Sequence, residues 1–124
     1  MTIFTAGHGQ RSFNEFRSLL AEHGINLLID VRSRPYSRWV PHFNKNYMEE
    51  HLPMLYIWLP SLGGKEVVSY DRFEKGIEAV VRFSKQYQVC LMCSERSPDR
   101  CHRKTVLQGA LQERGVKHIV HIGT

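Results

Sequence analysis

Leu27-Leu28-Ile29-Asp30-Val31-Arg32-Ser33-Arg34-Pro35-Tyr36-Ser37-Arg38 is the stretch that decides the fold. Residues near 26–31 are almost continuously apolar, as a parallel strand covered on both faces requires. The strand then breaks into a loop dense in polar groups. The same layout occurs twice more. Ile3-Phe4-Thr5-Ala6 runs into Gly7-His8-Gly9-Gln10-Arg11-Ser12, and Val89-Cys90-Leu91-Met92 runs into the loop from Cys93 to Arg103. In an open parallel α/β sheet the strand carboxyl ends share one edge, and ligands bind in the crevice outside it. The chain therefore gathers Cys, His, Asp, Glu and several Arg at one rim.

The intervening segments alternate accordingly. Ser12-x-x-Glu15 fits a capping box. Phe13, Phe16, Leu19, Leu20 and His23 follow at helical spacing, and Gly24 is a natural stop. A short helix is predicted over 44–52, a strand over 54–59, a turn at Pro60-Ser61-Leu62-Gly63-Gly64, and a helix over 70–87. A strand over 88–93 follows. Ser97-Pro98 then signals the start of a helix running to Arg114, with Val106, Leu107, Ala110 and Leu111 on its buried face. A last strand is expected over 118–122. The prediction is an α/β protein: a single three-layer domain over 1–124 with a mostly parallel, doubly wound sheet of about five strands.

The chain has 124 residues, 42% of them apolar, enough for a real core. No apolar run approaches the ~20 residues that span a bilayer, and the start has no basic-then-apolar leader pattern. A soluble cytoplasmic protein with no membrane partner is expected. Three cysteines in such a chain argue against a disulfide framework. The formal charge is +5, concentrated in Arg11, Arg32, Arg34, Arg38, Arg96, Arg100 and Arg103. Most of these sit in the rim loops, which favours a site for a phosphorylated small molecule or nucleic acid over a diffuse basic tail.

Several residues at the rim are candidates for chemistry. Cys93 ends a strand and precedes a helix start, where free N–H groups favour anions and lower a thiol pKa. The alternative is a partly buried, inert thiol. Cys101 is expected in the first turn of that helix, pointing away from its buried face, and His102 on the flank of that face. Arg103 falls toward its buried side at the rim end, which makes it a ligand candidate. Asp30, Glu95 and His8 each follow a strand end and could supply proton transfer. Asp30 also has a structural reading, accepting loop N–H groups or pairing with Arg32. Arg11, Arg32, Arg38, Asn44, Gly63 and Gly64 complete the expected ligand-binding set. Cys93, Cys101, His102 and His8 offer soft ligands, but no C-x-x-C pair exists and no metal is assigned. No cofactor is indicated either.

A Cys-dependent phosphatase would need an arginine six positions after Cys93, which is Asp99, with Arg100 one residue late. A rhodanese-like sulfurtransferase would need a shorter loop without Pro98. From Arg34 to Asn44, arginines interleave with aromatics, a pattern that can contact phosphates and stack on bases.

Thr5-Ala6-Gly7-His8, the block Asp30-Val31-Arg32-Ser33-x-Pro35-x-Ser37-Arg38, Pro41-x-Phe43-Asn44, Leu59-Pro60-x-Leu62-Gly63-Gly64 and Cys93-x-Glu95-x5-Cys101-His102-Arg103 together resemble the domain of unknown function 488 family. The resemblance spans essentially the whole chain. Gly9 departs from it, standing where the pattern has Ser. The resemblance implies a compact cytosolic α/β domain of prokaryotic type and no particular reaction. The leading expectation is thus a small α/β protein binding a phosphorylated ligand, nucleotide or nucleic acid at the rim, with carboxylate and histidine groups for acid–base work. The alternatives are a non-catalytic nucleic-acid-binding module and a Cys-dependent phosphatase or sulfurtransferase.

Overall fold

Leu27–Asp30 is a strand buried along its whole length, and its neighbours show why. The structure, a computed structural model, describes residues 1–63, 69–101 and 103–124, without the side chains of Arg100 and Arg103. The elements are β1 (Thr2–Gly7), α1 (Phe13–Glu22), β2 (Leu27–Asp30), α2 (Lys45–His51), β3 (Leu55–Trp58), α3 (Tyr70–Ser84), β4 (Val89–Cys93), α4 (Gln108–Glu113) and β5 (His118–Ile122). The five strands lie in the order β3-β2-β4-β1-β5, and every pairing is parallel.

This order makes the sheet doubly wound. From β1 to β2 to β3 the chain steps toward one edge; from β3 to β4 to β5 it steps toward the other. Crossovers of one hand then place the two sets of helices on opposite faces. The side chains agree. Leu28, Cys90 and Met92 pack with Phe16 and Leu20 of α1 and Met48 of α2. Leu27, Ile29, Val89 and Leu91 pack with Ile77 and Val80 of α3 and Leu111 of α4. Period-two alternation thus feeds both cores from the same strands, and burying each such Leu or Ile contributes about 1.5–3 kcal/mol. The architecture is α/β, with helices on both faces of a five-stranded parallel sheet.

Local signals account for the helix ends. The Ser12 hydroxyl accepts from the Glu15 N–H at 3.1 Å, and the Glu15 carboxylate accepts from the Ser12 N–H at 3.2 Å. This reciprocal cap is the one the sequence predicts. Helix α3 stops at Ser84 rather than residue 87.

The helix expected from Pro98 to Arg114 is not continuous. Pro98–Arg100 is a single 3-10 turn, Cys101 is extended with φ −125° and ψ 141°, and Arg103–Leu107 is a wide π turn leading into α4. The cause lies in the core. Cys101 turns inward and is buried with Cys93 and Leu107, and a helical backbone cannot follow it there. The wide turn then changes the helical phase. Leu107 and Leu111 face the sheet, while Val106, expected on the buried face, is 48% exposed. The anion site expected at the start of a long helix therefore has only a three-residue turn beneath it.

Candidate functional site

Strand β4 ends between β1 and β2, and its loop departs to the α3/α4 face while theirs depart to the other. A crevice opens where neighbouring connections part in this way. Before they separate, the loops remain stitched together. The His8 N–H donates to the Cys93 carbonyl at 3.0 Å, and the Gly9 N–H to that of Ser94 at 2.9 Å. The Val31 N–H donates to the Met92 carbonyl at 3.1 Å, and the Leu59 N–H to that of Asp30 at 2.8 Å. The contact is close enough to require glycine at two places. A Cβ on Gly7 would lie 1.7 Å from the Glu95 carbonyl oxygen, and one on Gly63 would lie 2.1 Å from the Ser33 hydroxyl.

Three of the candidate side chains meet directly. Asp30 is wholly buried. Its Oδ1 accepts from the Arg32 backbone N–H at 3.1 Å and from Arg32 Nε at 2.9 Å. Its Oδ2 accepts from Arg32 Nη2 at 2.7 Å and from the Tyr56 hydroxyl at 2.5 Å. All four lone-pair positions of the carboxylate are thus taken. Arg32 Nη2 also donates to the Phe43 carbonyl at 2.6 Å, and Arg32 Nη1 reaches His8 Nε2 at 3.3 Å. Trp58 Nε1 donates to the Arg32 carbonyl at 2.8 Å. Burial, and then the Asp30 charge, push the Tyr56 phenol above its ordinary range.

His8 completes the group. Its Nδ1 lies 2.8 Å from the Gly9 carbonyl, which can only accept. Its Nε2 faces a guanidinium, which can only donate. The partners therefore fix the neutral tautomer with hydrogen on Nδ1. Its ring stacks on Phe43 with centroids 4.6 Å apart. Burial lowers its pKa to about 4, and the Arg32 charge acts in the same direction. At neutral pH both ring nitrogens are occupied, and the imidazole does not accept a proton readily.

The other candidates are spread along the same edge. Cys93 reaches the rim through its carbonyl, but its side chain joins the core of the α3/α4 face and is 2% exposed. Cys101 is buried in that same core. Glu95 is exposed on the β4 loop. Arg11 Nη2 donates to the Gly123 carbonyl, and Arg96 Nε donates to the same oxygen at 3.2 Å. The Arg38 guanidinium lies 5.9 Å from the Trp39 ring centroid. Asn44 Oδ1 accepts from the Ser37 N–H at 2.6 Å. Gly64, His102 and the Arg103 side chain lie outside the described residues. Among the described residues, no three of His, Cys, Asp and Glu are grouped so as to hold a metal ion, and no helix is long and apolar enough to cross a membrane.

Four residues near these groups escape a reading of the sequence alone. Tyr56 and Trp58 occupy alternate positions of β3, and the signal for them was two polar-tipped aromatics two residues apart on one strand. Lys104 and His121 line an open cleft beside the β4 loop with Glu95, Arg96 and Ser97. Nothing in their local sequence marks them.

The burial of Cys93 makes a prediction. Thiolate chemistry needs access as well as a lowered pKa. In a Cys101→Ser background, iodoacetamide should alkylate Cys93 no faster than the folded protein opens. Rapid alkylation with an apparent pKa well below the ordinary ~8.5 would restore a nucleophilic role for this residue.

No curated protein matches the chain. A family model described as "Domain of unknown function DUF488" matches residues 12–69 and 65–111. These matches take in the Asp30–Arg32 pair, the Arg34–Asn44 loop, the Gly63 turn and the β4 loop, so that the chain belongs to the DUF488 family.

Proposed function

We propose that this protein binds a phosphorylated ligand, a nucleotide or nucleic acid, at the carboxyl rim of its sheet. The observation that carries the reading is the convergence of Arg11 and Arg96, from two different loops, on the single carbonyl of Gly123. Burial, and then the neighbouring Arg96 charge, pull the Arg11 guanidinium below its ordinary value. A phosphate lodged against the pair would offset that repulsion and accept charge-assisted hydrogen bonds. The cleft beside them adds Lys104, whose Nζ a phosphate would share with Asp99, now 2.6 Å away. His121 lines the cleft with its ring nitrogens held by Thr5 and Gln108. In this reading Asp30, Arg32 and His8 are positioning residues. Their bonds to one another and to the Phe43 carbonyl hold the loops that carry the exposed cations.

Titration with inorganic phosphate, followed by amide chemical shifts, tests this. Residues 9–12, 94–97 and 123–124 should move first and together, and chloride at matched ionic strength should not move them. No shift at tens of millimolar phosphate, or an equal shift with chloride, would overturn the reading.

A further inference from the structure

The loop between β2 and α2 presents two aromatics to water. Trp39 is 84% exposed and Tyr36 is 57% exposed. Scattered apolar side chains on a surface need no explanation, but this loop is braced where an idle one would not be. The Ser37 hydroxyl accepts from the Trp39 N–H at 3.0 Å and the Val40 N–H at 3.3 Å. Asn44 Oδ1 holds the Ser37 N–H at 2.6 Å, and the Lys45 N–H donates to the Pro35 carbonyl at 2.9 Å. Pro35 and Phe43 are buried on either side of the tip, and Arg32 grips the Phe43 carbonyl from within at 2.6 Å. The backbone at Trp39 is therefore fixed by side chains around it, while the indole itself stands clear of the core.

Charge accompanies the aromatics. Arg34 and Arg38 are exposed beside them, and the Arg38 guanidinium lies 5.9 Å from the Trp39 ring centroid. The loop is also tied to the proposed phosphate site: His42 Nε2 donates to the Arg11 carbonyl at 2.8 Å. The platform loop and the Arg11 loop are thus joined by this side-chain hydrogen bond.

We propose that the ligand is a single-stranded nucleic acid whose bases stack on Trp39 and Tyr36 while its phosphates run toward Arg38, Arg11 and Arg96. The proposal rests on the phosphate-binding reading and makes it more specific. Aromatic faces interleaved with cations suit unstacked bases, because every base offers a π-face and every nucleotide a phosphate. A duplex keeps its base faces covered. An anionic membrane surface would also attract arginines, but Val40, the aliphatic neighbour of Trp39, packs against the core instead of standing out with the two exposed rings.

The test uses the intact chain at low salt with oligo-dT and oligo-U of roughly 15 nucleotides, enough to span a typical single-strand site. Binding is read by anisotropy of the labelled oligonucleotide and by the quenching of tryptophan emission that is lost in Trp39→Ala, since Trp58 also emits. Trp39→Ala should weaken binding about 5- to 150-fold, the effect of losing one aromatic stacking platform at about 1–3 kcal/mol per base. Trp39→Phe should restore most of it. Arg38→Ala should lower the slope of log affinity against log salt by about 0.7, as loss of one phosphate contact on a single strand does. Trp39 is exposed, so its variants should fold normally, checked by circular dichroism. Unchanged affinity in Trp39→Ala, tighter binding of a duplex of the same length, or Trp39 quenching by phosphatidylserine vesicles but not by oligonucleotides would each overturn the proposal. If phosphate shifts the rim amides while no oligonucleotide binds, only the single-strand assignment falls. If phosphate shifts nothing, the underlying reading falls with it.

Discussion

Asp30→Ala should lower the unfolding free energy by about 3–5 kcal/mol, the usual cost of removing one partner from a buried ion pair. The mechanism is specific. Arg32 would remain inside the protein with Nε facing a void and Nη2 left with only the Phe43 carbonyl, and the Tyr56 hydroxyl would lose its acceptor. A typical domain has only ~5–15 kcal/mol in total, so the variant should be marginal in urea denaturation at neutral pH. Asp30→Asn keeps the shape but not the charge, and should fall between the two. The informative partner is the double variant Asp30→Ala, Arg32→Met. Removing both charges leaves no uncompensated ion, so the double change should cost less than the sum of the singles. A single-variant loss below about 1 kcal/mol, the range of exposed pairs, or additive singles, would show that the pair does not hold the fold.

The same network has a consequence for binding. Through the Phe43 carbonyl, Arg32 connects the end of β2 to the tip that carries Trp39. A buried ion pair is weak evidence for stability, since an apolar pair of similar volume often does as well. Its geometry is what an apolar pair cannot reproduce. One planar guanidinium simultaneously fixes a carboxylate, a carbonyl and an imidazole.

The strands were legible because a parallel sheet covered on both faces demands long apolar runs, and residues 27–31 and 89–93 supply them. The rim followed from the loops that come after these runs. The pairing of Asp30 with Arg32 was also within reach, two residues apart on one segment. What the sequence could not show is which face each rim side chain takes. His8 follows the end of β1 and Cys93 ends β4, yet His8 stacks on Phe43 while Cys93 enters the opposite core. That depends on register, which joins residues far apart in the chain, as Tyr56 joins Asp30. The segment 98–114 misled for a different reason. Its turn signals were sound locally, but burial of Cys101 overrode them, and a π turn replaced the first turns of the expected helix.

Acid should weaken the fold through His8. Its ordinary pKa is 6.5, and in the folded protein it is about 4. Between those values the unfolded chain binds a proton that the native site refuses, so stability rises with pH across this window and is lost as pH falls through it. The full depression corresponds to ~3 kcal/mol, at about 1.4 kcal/mol per unit. Above pH 6.5 His8 adds no slope; below about 4 the loss is complete. Carboxylates begin to titrate near the lower end, so the clean comparison is the wild type against His8→Gln between pH 7 and 5. The variant lacks the Phe43 stacking and should start less stable, but its stability should change less with pH. Parallel curves, or a His8 ring signal titrating near 6.5 in the folded protein, would rule out a buried neutral imidazole. The structural effect should be local and directional. A proton on Nε2 would face the Arg32 guanidinium, now 3.3 Å away as a donor, and two cations at that distance repel. Relief comes most readily by releasing the Phe43 carbonyl, so amide exchange in residues 36–44 should rise before the sheet opens.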